Sequence, residues 1–120
     1  MPVTECIAVY IRLSSEDNDV DGSIKAESNS FSAQRMLINE FIKKQDEFTN
    51  CPVVEYVDDG YSGTNFNRPG FQRMMEDSKA GRIKSIVIKD FLRFGRDYLE
   101  TGYYIETIFP LLNVRFIAIV

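Results

Sequence analysis

The chain has 120 residues, 44% of them hydrophobic and 27% charged, with a net charge of −4 and no histidine. That balance fits one globular domain with a real core and excludes a disordered chain. No apolar run approaches the roughly 20 residues that a membrane-spanning helix needs, and no signal peptide is visible.

The absence of histidine removes Ser–His and Cys–His nucleophilic pairs and every histidine-based metal site. Cys6 and Cys51 stand alone, without a CxxC. Cys6 reads as a buried strand residue and Cys51 as a loop thiol, so a reducing, cytoplasmic setting is expected. The negative total argues against tight binding of nucleic acid by these residues alone. It conceals two opposed segments: residues 15–28 carry five acids and one base, and residues 79–97 carry six bases and two acids.

In chain order, Cys6-Ile7-Ala8-Val9 opens an apolar strand that runs into Tyr10-Ile11-Arg12-Leu13-Ser14. Strand side chains alternate, which puts Tyr10, Arg12 and Ser14 on one face and Ile7, Val9, Ile11 and Leu13 on the other. The polar loop after Ser14 contains Asp17, Asp19, Asp21 and Gly22, the start of a calcium-loop pattern. The pattern fails at its last position, where Ser28 replaces the bidentate glutamate, so a solvated loop is expected. Ser30 is placed to cap a helix whose Phe31, Leu37, Ile38, Phe41 and Ile42 recur at helical spacing. Gln34 falls in its first turn, off that stripe, where it is either a surface residue or an amide facing the strand end.

Residues 52–58 form a second predicted strand. The loop from Asp59 to Asn67, with two glycines and several hydroxyls, suits an anion cradle but lacks the GxxxxGK[ST] pattern of a nucleotide P-loop. Arg68-Pro69-Gly70 opens a second helix with proline well placed for its first turn. Phe71, Met74, Met75 and Ser78 give its inner face, and Gly81 ends it. Ile83 to Ile88 is a third strand, followed by Lys89-Asp90-Phe91-Leu92-Arg93-Phe94-Gly95-Arg96-Asp97. A third helix is expected over 97–109, ended by Pro110. A fourth strand over 114–120 stops at the end of the chain, which is the expectation for an N-terminal piece of a longer protein.

The order β-α-β-α-β-α-β implies an α/β fold: a largely parallel central sheet with helices on both faces. Ligands of such sheets bind beyond the carboxyl ends of the strands. Three polar segments follow three strands, so Arg12, Arg68, Arg93 and Arg96 should converge near Ser14. Guanidiniums present forked, permanently charged donors that suit phosphate oxygens. They would stabilise the extra charge of a phosphodiester under attack, where losing one such donor costs about 10²–10³ in rate. They would also favour ionisation of a serine that has no histidine beside it. Taken singly, each arginine is equally a surface ion-pair residue, as Arg93 or Arg96 with Asp90 or Asp97.

At these residues the sequence resembles the catalytic domain of the serine recombinases, the resolvase/invertase family, and more narrowly the large serine recombinases of transposons and integrating elements. Tyr10-x-Arg12-x-Ser14, the Ser-Ala-Gln ending at Gln34, Asp59 with Tyr61-Ser62-Gly63, Arg68 before the second helix, and Arg93-x-x-Arg96-Asp97 match the family in order. The resemblance implies a C-terminally truncated resolvase-like domain over 1–120, with Ser14 as nucleophile. Ser14 would join the 5′ phosphate of DNA and free a 3′ hydroxyl, with Arg12, Arg68, Arg93 and Arg96 holding the phosphate. Tyr10, Gln34, Asp59, Ser62 and Asp90 would support the site, without metal or other cofactor. DNA would be the partner of a homodimer that pairs into a tetramer, for excision or integration of a mobile element.

The sequence departs from small resolvases in two places. Leu92 stands where they carry an aspartate, the nearest acid being Asp90, and the loop after Ser14 is longer. Two other functions fit parts of the chain. A receiver-like phosphoacceptor module would use the acidic pair Asp58/Asp59, with Asp59 as acceptor, and Lys89, but it needs carboxylates at the end of the first strand, where Arg12 and Ser14 stand. A non-catalytic recombinase-like module kept for oligomerisation would have no need of the arginine set.

Overall fold

A computed structural model describes residues 6–13, 30–59, 67–95 and 98–120, without the side chains of residues 92 and 98. β1 (Cys6–Leu13) is followed by α1 (Phe31–Lys43), a short 3-10 turn (Asp46–Phe48) and β2 (Val53–Asp59). Then come α2 (Pro69–Lys79), β3 (Ile83–Ile88), α3 (Phe91–Phe94) and α4 (Tyr98–Tyr103). A π-helical segment (Tyr104–Ile108), a last helical turn, α5 (Phe109–Leu111), and β4 (Arg115–Ala118) complete the order.

The four strands form one parallel sheet in the order β2-β1-β3-β4. β1 is central, and seven of its eight residues are buried because helices cover both of its faces. Ile7, Val9 and Ile11 pack with Ile38 of α1, Phe48 and Val87, supported by Phe31, Phe41 and Ile42. Cys6, Ala8 and Tyr10 pack on the other side with Phe71, Met74 and Met75 of α2 and with Phe94 and Phe109. The alternation read from the sequence thus divides two cores, and the helices lie on both faces as expected.

Local chemistry sets the helix ends. Ser30 accepts a hydrogen bond from the Ala33 N–H at 3.1 Å and starts α1. Gly81, at φ +78°, takes the left-handed conformation that closes α2. Phe71, Met74, Met75 and Ser78 are buried, as their spacing predicts.

The third helical region differs from its expectation. Pro110 lies inside the helical run rather than after it. Proline has no N–H to donate and crowds the carbonyl four residues before it. The ladder widens to meet this: the Phe109 N–H bonds Tyr104 O, one residue further back than in an α-helix, and Leu112 N–H bonds Ile108 O. Phe109 is buried in the core, while Leu99, Tyr103 and Leu111 stay exposed.

Candidate active site

The chain moves from β1 outward to β2 and then returns past β1 to β3. Its direction across the sheet therefore reverses between β1 and β3, the switch point where such sheets form a crevice at their carboxyl ends. Arg12 stands at the end of β1 beside this crevice. Arg93 comes from α3 directly after β3, and Arg68 from the residue before α2. All three are at least 97% buried, at 0%, 3% and 1% exposure respectively.

Each guanidinium is held by protein oxygen. Arg12 Nε donates to Arg93 O at 3.0 Å, and Arg93 Nη1 donates to Arg12 O at 3.2 Å. Gln34 Nε2 also donates to Arg12 O, at 3.1 Å. This buried amide is the first-turn residue that faces the strand end. Asp90 caps α3 by accepting the Arg93 N–H at 3.0 Å, and its Oδ1 lies 3.7 Å from Arg93 Nε. Arg68 Nη1 donates to Tyr10 Oη at 2.8 Å, and its Nη2 donates to Phe94 O at 2.5 Å.

Tyr10 passes the polarity on, since its hydroxyl donates to Asp58 Oδ2 at 2.7 Å. Asp58 is 2% exposed. It accepts the Gly70 N–H at 2.8 Å and the Phe71 N–H at 2.9 Å, which satisfies two donors at the start of α2. The register explains the arrangement: Tyr10 pairs with Tyr56 and Arg12 with Asp58, so these four side chains share a sheet face.

Burial lowers the Arg68 pKa, opposed by its contact with the Tyr10 hydroxyl and by the negative charges of Asp58 and Glu100. Burial raises the Tyr10 pKa, reinforced by its bond to Asp58 and opposed by Arg68 and Arg12. Tyr10 therefore stays a neutral donor. Among the described residues, Arg12, Arg68 and Arg93 are buried with one buried carboxylate, Asp58, and the partly exposed Asp90 lies beside Arg93. The guanidinium donors are held in place before any ligand arrives. They are suited to an anion with several acceptor oxygens.

Tyr10, Arg12, Gln34, Arg68, Asp90 and Arg93 are thus brought to one edge. Asp59 is exposed at the end of β2 with the opposite strand parity, and the hydrogen bonds described above run through Asp58 instead. Ser14, Ser62 and Arg96 lie outside the described residues. Asp58 figures in the sequence only for the phosphoacceptor alternative, and the recombinase motif blocks leave it out. Its signal was strand alternation: it lies two residues after Tyr56, on the face that carries Tyr10 and Arg12.

Residues 7–120 match the family described as "Resolvase, N terminal domain". The chain belongs to this family. A Bacillus subtilis (strain 168) protein of the curated set, named "Putative DNA recombinase", is 33% identical over 94 residues. Those residues are 78% of this resolvase-family chain and 16% of that protein, so the chain spans a small part of its relative's length.

The N-terminal catalytic domain of TP901-1 integrase superposes with a TM-score of 0.73 at 22% identity, over 95% of this chain and 76% of that one. A serine recombinase from Sulfolobus solfataricus gives 0.68 at 19% identity, over 97% and 69%. The C-terminal catalytic domain of ISC1926 TnpA, an IS607-like serine recombinase, gives 0.68 at 22% identity, over 95% and 69%. At these identities the likeness is one of fold, that of the resolvase-like catalytic domain. Among the described residues of this family member, no helix is long and apolar enough to cross a membrane.

Proposed function

We propose that this chain is the catalytic domain of a site-specific DNA recombinase in which Ser14 is the nucleophile. The observation that supports this most is the set of three buried arginines, each from a different segment of the chain, at the carboxyl edge of β1 and β3. Ser14 follows β1 directly in the sequence, two residues after Arg12.

In this reading Ser14 Oγ forms a bond to phosphorus and loses its proton. The bond from phosphorus to the 3′ oxygen breaks, and that oxygen takes up a proton. One ester replaces another, so the reverse step rejoins strands without ATP. Arg12, Arg68 and Arg93, with Arg96, hold the phosphate oxygens, and their fixed charge stabilises the pentavalent state without a metal ion. Gln34, Asp90 and Tyr10 hold the arginines; Asp59 ends β2, and Ser62 follows it by three residues in the sequence. The protein would act on DNA in the cytoplasm, as dimers that pair into a tetramer.

The test is covalent trapping on a DNA site that carries a break to prevent religation. The complete protein with Ser14→Ala should bind the site and form no protein–DNA adduct, whereas the unaltered protein should form it in the presence of a chelator. An adduct of undiminished yield from Ser14→Ala, or one abolished by the chelator, would contradict the reading.

A further inference from the structure

The Arg68 guanidinium is bounded by aromatic rings as well as by oxygen. Its Cζ lies 5.5 Å from the centroid of the Tyr10 ring and 5.3 Å from that of Phe71. Both distances are within the range at which a ring's electron-rich face attracts a cation. A buried cation denied water needs compensating potential, which an aliphatic side chain of similar volume does not supply. Hydrogen bonds hold Nη1 and Nη2, and the two rings flank the guanidinium carbon.

Phe71 is itself held from outside the site. Its ring meets Tyr104 edge-on at 5.3 Å and 89°, and Phe94 at 5.5 Å and 75°. Tyr104 is the first residue of the π-helical segment and also packs on Phe109, next to Pro110. The widened turn that accommodates Pro110 therefore sets where the Tyr104 ring stands. A continuous line of contacts runs from that turn through Tyr104 and Phe71 to Arg68.

We propose that Phe71 is a positioning residue for Arg68, buttressed by Tyr104, so that the helical run over 98–111 sets the placement of one phosphate-holding arginine. The functional sense of this rests on the recombinase reading; the geometry does not. Phe71 acts by its ring face toward Arg68, and the Tyr104 ring packs across it.

The experiment uses the complete protein with Phe71→Leu, Tyr104→Leu and Tyr104→Phe, read in two ways. The first is the Arg68 side-chain N–H resonance, assigned by its loss in Arg68→Lys. Protons over a ring face are shielded, so Phe71→Leu should move this resonance downfield. The second is the single-turnover rate of adduct formation at saturating DNA. It should fall about tenfold to a hundredfold in Phe71→Leu, the scale of a misplaced reacting group, with DNA affinity unchanged. Tyr104→Leu should move both readouts in the same direction, and Tyr104→Phe, which keeps the ring, should restore most of both. A folded Phe71→Leu protein with an unmoved Arg68 resonance and an unaltered rate would overturn the proposal. So would a Tyr104→Phe protein as impaired as Tyr104→Leu. If Phe71→Leu does not fold, the Tyr104 pair decides. If the unaltered protein forms no adduct, the recombinase reading fails and the resonance still decides the positioning.

Discussion

Arg12 and Arg93 each donate a guanidinium hydrogen bond to the other's backbone carbonyl, at 3.0 and 3.2 Å, across 81 residues of chain. Two like charges are brought together without touching charge to charge. The carbonyl dipoles between them offset part of the repulsion and lock the end of β1 to the turn after β3. The pair is therefore part of the fold as well as of the candidate site.

Arg12→Lys should expose this double role. Lysine has a single ammonium at the end of a flexible stem in place of a planar fork. Losing a buried hydrogen bond from a charged donor should lower unfolding free energy by about 1.5–3 kcal/mol, measured by urea denaturation. Arg35, whose bond to Glu55 lies on the surface, is the control. Arg35→Ala should leave the urea midpoint almost unchanged.

The neighbouring carboxylates should separate in the same assay. Asp58→Asn replaces one acceptor oxygen with a donor that faces Tyr10 Oη or the N–H groups of Gly70 and Phe71. It should destabilise by about 1–3 kcal/mol for each donor left unmet. Asp59→Asn, at an exposed position, should stay within about 0.5 kcal/mol of the unaltered protein.

Gly70→Ala should destabilise the protein although alanine is the better helix former. An added Cβ would lie 2.8 Å from Val57 O and 2.9 Å from each Asp58 carboxylate oxygen. Neither a strand carbonyl nor a carboxylate fixed by three donors can withdraw. A loss of about 1–3 kcal/mol is expected, read as a lowered thermal midpoint.

Stability should also fall in alkali. Tyr10 and Tyr56 have pKa values raised from an ordinary 10.0, first by burial and then, for Tyr56, by its bond to Asp77. The folded state holds these protons after the unfolded chain releases them. Their contribution is complete below pH 10 and is lost as pH rises above it. Buried Cys6, raised from 9.0, adds to the loss from about pH 9. Tyrosinate absorbance should lag behind the ordinary tyrosine titration and then rise together with the loss of fold, and Tyr56→Phe should flatten the decline.

How much of this was legible in the sequence depends on the kind of signal. Strand alternation from Cys6 to Leu13 predicted both cores and put Tyr10 beside Arg12, since period-2 patterning is local. The alternation of strands and helices put the strand ends at one edge, and with it the meeting of Arg12, Arg68 and Arg93; the strand order and its switch point came only with the structure. Asp58 was less visible, because its three donors come from β1 and α2 and only the pairing register brings them together. The same holds for the carbonyls of Arg93 and Phe94, which no side-chain motif encodes. Pro110 misled for a local reason: a proline ends a helix unless a widened turn absorbs its missing donor, and nothing in the sequence near Tyr104 announces that turn. The strand order alone does not discriminate function, since a phosphoacceptor module shares such a sheet. The arginine that occupies the end of β1 does.

The most direct test of the central claim is to map the covalent adduct. The complete protein would be incubated with a broken DNA site, the DNA digested away, and the peptides analysed by mass spectrometry. The account predicts a residual nucleotide joined through its 5′ phosphate to the peptide that contains Ser14, on Ser14 itself. A nucleotide on Ser15, on Tyr10 or on any other residue, or acid-labile phosphate on Asp59, would contradict it.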